Sequence, residues 1–171
     1  MSKYQDLLQG GDLRSIGKSN KIIQYVKNQE DFDELFIELT NPDRKVVMRT
    51  ADAIEKITIN HPGYLKKHKN QLLQLLKNAR NIELKWHMAL LISRVSLTEK
   101  ELGLVWRTLT SWALNQQESK IVRVNSIQGL YYLLQLQPAL KHDFNLTLSN
   151  IEKEGIPSIT ARIKKIRKAF S

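Results

Sequence analysis

DRKVVMRTADAIEKI at residues 43–57 is the stretch that decides the fold, because its pattern returns. NIELKWHMALLISRV at 81–95 and SKIVRVNSIQGLYYL at 119–133 follow at a constant spacing of 38 residues. The three superpose without gaps, and their columns keep their chemistry. Val46, Leu84 and Val122 share one column, Met48, Trp86 and Val124 the next, and Ala51, Ala89 and Ile127 the third. Ile54, Ile92 and Leu130 form the fourth, and Ile57, Val95 and Leu133 the last. A weaker fourth copy, PSITARIKKIRKAF at 157–170, begins another 38 residues on and drifts by about one position. The apolar columns fall at helical spacing over segments too long for strands. Small residues interrupt the large ones at Ala51, Ala53, Ala89 and Gly129. Close approach between helices requires that.

Outward from each copy lies a second helical pattern. Residues 31–39 precede the first copy, 64–76 the second, 98–115 the third and 140–152 the fourth. Breakers separate them: Asn60-His61-Pro62-Gly63 and Gly155-Ile156-Pro157. Thr98 and Glu101 spell a capping box, Asn41-Pro42 marks a start, Asn81 and Ser119 are N-cap residues, and Pro157 suits a first turn. The unit is a helix–turn–helix of about 38 residues, with repeats expected at 30–60, 64–95, 98–136 and 140–170. So small a unit cannot bury its own apolar face, and neighbours must stack into one core. A leading helix over 20–27 is expected to cap the stack, within one domain over 19–171. Residues 1–18 read as a loosely held arm.

Composition agrees with an all-α globular chain. Of 171 residues 42% are apolar, enough for a core, while 7 glycines and 4 prolines are too few turns for a many-stranded β protein. The absence of cysteine excludes disulfides, a cysteine nucleophile and thiolate metal sites. No apolar run reaches the length of a membrane span and no signal-peptide core is present, so a cytoplasmic location without membrane contact is expected. The 27 Lys and Arg against 17 Asp and Glu give a net charge of +10, which favours anionic partners.

The repeat resembles the HEAT-repeat family of the armadillo-like superfamily. Val46-Val47-Met48-Arg49-Thr50-Ala51-Asp52-Ala53-Ile54 is similar to that family's second-helix pattern, and the resemblance spans about residues 30–170. It extends to small stand-alone bacterial HEAT-repeat proteins without an assigned activity. It implies a right-handed α-solenoid of about four HEAT-like hairpins with an N-terminal capping helix, used as a scaffold, adaptor or nucleic-acid binder. It also implies that the second helix of each pair lines a concave face.

At 100° per residue, the positions most opposed to the packed columns are the third, seventh, tenth and fourteenth of each copy. They are Lys45, Arg49, Asp52 and Lys56, then Glu83, His87, Leu90 and Arg94, then Ile121, Asn125, Gln128 and Tyr132, with Arg162 and Lys165 from the fourth. Arg49, His87, Asn125 and Arg162 are expected to form a ladder of hydrogen-bond donors. Lys45, Lys56, Arg94 and Lys165 add charge, and Leu90 and Tyr132 apolar anchors. The expected function is a non-enzymatic scaffold holding an acidic or extended protein segment. Binding to a nucleic-acid backbone is the alternative. The five bases of the last helix (Arg162, Lys164, Lys165, Arg167 and Lys168) also fit the solvent face of a terminal cap, since Ile159, Ile163, Ile166 and Phe170 form its apolar seam.

Catalytic patterns are sparse. Gly11-Asp-Leu-Arg-Ser-Ile-Gly17-Lys18-Ser19 holds one residue too many between its glycines for a phosphate loop, and neither flanking strand is present. His61, His68, His87 and His142 show no metal-ligand spacing, and no cofactor is expected. Trp86, Asp52, Arg49 and Arg94 invite analogy with alkylpurine DNA glycosylases built from HEAT-like repeats. Trp86, however, lies in a core column, and Asp52 is placed to pair with Lys56.

Overall fold

In a computed structural model of the chain, residues 3–9 and 19–170 are described. They are all-α, with no strand among them. They gather into two compact units, residues 1–68 and 69–171, where the sequence reading treats 19–171 as one domain.

The first unit is built around the hairpin of α3 (Gln29–Ile37) and α4 (Arg44–Asn60). Asn28 caps α3 by accepting from the Asp31 amide at 2.9 Å, and Asp43 caps α4 through the Lys45 amide at 2.8 Å. Phe32, Leu35 and Phe36 of α3 are buried, as are Val46, Ala51, Ile54 and Ile57 of α4. Two shorter helices, α1 (Gln5–Leu8) and α2 (Ser19–Tyr25), pack on α4.

The loose arm expected over 1–18 is corrected for residues 3–9. Tyr4 and Leu8, one helical turn apart, are fully buried. The Tyr4 hydroxyl donates to the Asp31 carbonyl at 3.0 Å, and Lys3 pairs with Asp31 and Glu34. The phosphate-loop-like glycines lie outside the described residues.

The unit closes with a 3-10 stretch, Pro62–His68, which sequence reading took as the start of a helix. His68 is buried there, stacked on Phe36 at 4.0 Å and hydrogen-bonded through Nε2 to Asp33 at 2.6 Å. Burial pushes the Asp33 carboxyl up. Hydrogen bonds from Lys67, Gln29 and His68 outweigh it and hold the group below its ordinary range.

The second unit stacks three hairpins. Their first helices are α5 (Lys69–Asn78), α7 (Glu99–Leu114) and α9 (Lys141–Glu152). Their second helices, α6 (Ile82–Leu91), α8 (Lys120–Leu136) and α10 (Pro157–Phe170), form a layer in which α8 lies between the other two. Four of the five repeat columns are the core, while Trp86 and Val124 of the remaining one, expected in the core, are half-buried. Leu84 and Val122, Ala89 and Ile127, Ile92 and Leu130, and Val95 and Leu133 are all buried. At about 25 cal/mol per Å² of apolar surface removed from water, this shared spine supplies most of the stabilisation of the stack.

Small residues set the spacing of the layer. A Cβ on Gly129 of α8 would stand 2.2 Å from the carbonyl oxygen of Ala89 on α6, so this contact admits only glycine. The capping box of Thr98 and Glu101 is complete, and Ser119 caps α8. Asn81 stands at the N-cap of α6 without a side-chain bond. Gly155 takes φ +64 and turns the chain into Pro157.

A buried guanidinium ties this unit together. Arg123 donates through Nε to the Ala113 carbonyl at 2.9 Å and through both terminal nitrogens to Glu154, each at 2.8 Å. The bidentate contact holds the Glu154 carboxyl below its ordinary range.

Candidate functional site

The residues expected on the inner stripe separate by burial. In the first unit, Arg49 is 1% exposed and donates to the Leu8 carbonyl at 2.6 Å. Lys56 bonds Asp52 and Asn20, each at 2.8 Å, and Lys45 is half-buried. In the second, His87 is 1% exposed, with Nδ1 at 2.6 Å from the Glu83 carbonyl and its ring stacked on half-buried Trp86. Leu90 and Gln128 are buried, and Arg94 is half-buried.

The expected ladder of donors is therefore corrected at Arg49 and His87, and Leu90 is corrected as an exposed anchor. The wheel treats each second helix as packed on one face. In the structure these helices are flanked on several sides, and the seventh position of the first two copies turns inward. Of the glycosylase-like constellation, Arg49 is enclosed and Asp52 is held by Lys56.

The open part of the stripe lies on α8 and α10. Along α8 stand Ile121, 45% exposed, then half-buried Asn125, and Tyr132, 38% exposed. Asn125 turns its amide to the Ile121 carbonyl at 2.8 Å, the local bond of a polar side chain within a helix. Beside them on α10, Arg162 donates to the Gln128 side-chain oxygen at 2.6 Å. Further along both helices Tyr131 meets the Phe170 ring edge-on at 5.2 Å. The two contacts run in the same direction, so α8 and α10 are parallel. Lys165 accordingly sits one turn beyond the Arg162–Gln128 bond, level with Tyr132. Sequence reasoning thus brings together Gln128, Tyr132, Arg162 and Lys165.

The electrostatics of this face are one-sided. Helix α10 contains no carboxylate. Arg167 pairs with Glu152 at 2.6 Å, whereas no ion pair among the described residues engages Lys164, Lys165 or Lys168, all exposed. The seam beneath them is as expected at Ile159, Ile163 and Ile166, all buried; Phe170 departs from it and is 45% exposed. Among the described residues no cluster of His, Asp and Glu could hold a metal ion.

A family model described as a HEAT repeat domain matches residues 11–170. The chain belongs to the HEAT-repeat family. The match takes in α2 as well as the hairpins from α3 to α10. No curated protein and no solved structure matches this HEAT-repeat chain. HEAT repeats are generally protein-interaction scaffolds and typically non-enzymatic. No described helix is long and apolar enough to cross a membrane.

Proposed function

We propose that this HEAT-repeat chain is a non-enzymatic cytoplasmic scaffold that holds an extended acidic protein segment against the face shared by α8 and α10. One observation carries the reading: Lys165 of α10, exposed and with no ion-pair partner among the described residues, stands level with the exposed Tyr132 ring on α8. An aromatic anchor beside exposed cations suits a peptide with carboxylates and apolar side chains better than a uniform phosphate track. The Arg162–Gln128 bond fixes the two helices, so the surface is preorganised and little ordering entropy opposes binding. Exposed lysines contribute chiefly to encounter rate and specificity, and the apolar anchor to residence time.

The test is fluorescence anisotropy with a labelled glutamate-rich peptide and, separately, a DNA duplex, at about 50 mM and about 200 mM salt. The scaffold reading expects peptide binding that weakens about tenfold or more in the Lys165→Glu, Lys168→Glu double variant, with helicity unchanged by circular dichroism. Unchanged affinity in that variant overturns it. Tighter binding to the duplex, falling steeply with salt, replaces it with nucleic-acid recognition.

A further inference from the structure

Where α8 ends, a notch of about 230 Å³ opens between Leu134, Gln135 and Pro138 on one side and Lys141 and Phe170 on the other. Its floor is apolar and its walls are held. Phe170 is fixed from behind by Tyr131 at 5.2 Å and by buried Phe144 at 6.4 Å, leaving its outer part open. Gln135 is steadied by donating to the Tyr131 hydroxyl at 3.1 Å. Among the described residues no acidic side chain lines the notch.

Lys141 at its rim is the telling residue. It is exposed at the start of α9, and no ion pair among the described residues engages it. The notch is also continuous with the basic face, because Phe170 closes α10 and Tyr131 neighbours Tyr132.

We infer that this notch receives one large apolar side chain of the acidic segment, with a carboxylate next to that side chain on Lys141. The inference rests on the basic-face reading above and narrows the partner to a short motif: a phenylalanine-like or leucine-like residue flanked by aspartate or glutamate. Leu134, Pro138 and Phe170 take the apolar group out of water, and Lys141 selects the acidic neighbour.

Two short glutamate–serine peptides, one with a central phenylalanine and one with alanine there, separate the inference from the reading it rests on. Wild-type protein should bind the phenylalanine peptide about tenfold more tightly, the discrimination expected for burying most of one large side chain. Phe170→Ala should erase that preference while leaving the alanine peptide's affinity within about twofold, whereas Lys141→Glu should weaken both peptides roughly fivefold, since both carry the flanking carboxylate. Both residues are surface-exposed, and circular dichroism checks that both variants fold. Equal affinity for the two peptides, with both lost in the Lys165→Glu, Lys168→Glu variant, overturns the notch and leaves the basic face standing. A preference that survives Phe170→Ala, or peptide affinity unmoved by Lys141→Glu, also overturns the notch. No binding of either peptide at low salt overturns both.

Discussion

Gly129→Ala is the substitution whose outcome the packing of the second unit dictates most sharply. A methyl group there would stand 2.2 Å from the Ala89 carbonyl oxygen, 3.2 Å from its carbon and 3.1 Å from Leu109 Cδ1. An ordinary carbon–oxygen contact is about 3.3 Å, so α6 and α8 must part by roughly 1 Å. The nearest obstructing atoms belong to the Ala89 backbone within α6 and cannot swing aside, although the Leu109 side chain can. Overpacking of this kind costs about 1–3 kcal/mol and more where the backbone itself must move, while alanine's better helix propensity returns about 1 kcal/mol. The net loss should be about 2 kcal/mol, a melting temperature lower by roughly 5–15 °C for a cooperative unit of this size. Thermal denaturation followed by circular dichroism measures it. Gly103→Ala in the interior of α7 is the control, since its nearest added contact is the flexible Arg107 guanidinium at 3.5 Å. It should stabilise by up to about 1 kcal/mol. If Gly129→Ala is neutral or stabilising, the close crossing of α6 and α8 is wrong.

Other perturbations probe the remaining joints. Arg123→Met should destabilise by about 3 kcal/mol in urea titration, because Glu154 keeps a largely enclosed carboxylate without its partner. Leu8→Ala should cost about 2–5 kcal/mol and speed proteolysis of the first unit, whereas a loosely held N-terminal segment would show no change. Stability should fall in acid. The folded-state pKa values of Asp31, Asp33, Glu101 and Glu154 are all depressed, Asp31 chiefly by Lys3 and Glu101 by the Thr98 amide and Lys69. The stability they contribute is complete above the ordinary carboxylate range near pH 4 and is lost as pH falls through the depressed values. Glu154→Gln should flatten that decline in denaturant titrations at a series of pH values.

The repeat was legible because stacking imposes the same demand on every copy. Columns such as Ala51, Ala89 and Ile127 read as core and are core. Gly129 was readable for the same reason, as a small residue where helices cross. The capping box at Thr98 was a local signal that no tertiary contact overrode. Burial of Arg49 was not legible from its own helix, since its cover comes from Leu8, 41 residues away. The pairing of Tyr4 with Leu8 at helical spacing was the available clue. His68 escaped in the same way. Its neighbours in sequence are lysines, while its partners Asp33 and Phe36 lie on another helix. In the candidate site, Tyr132, Arg162 and Lys165 followed from helical spacing plus the period. Lys141 and Phe170 did not, because they meet only where the end of α8, the start of α9 and the end of α10 converge.

The claim that α8 and α10 form the recognition face is tested most directly by titrating the isotope-labelled protein with the phenylalanine-bearing acidic peptide and following amide and side-chain NMR signals. The account predicts saturable shifts concentrated at Ile121, Tyr132, Arg162, Lys165 and Phe170, with α5 and the first unit unmoved. Shifts centred on the first unit, or spread evenly over every lysine in the chain, would contradict it.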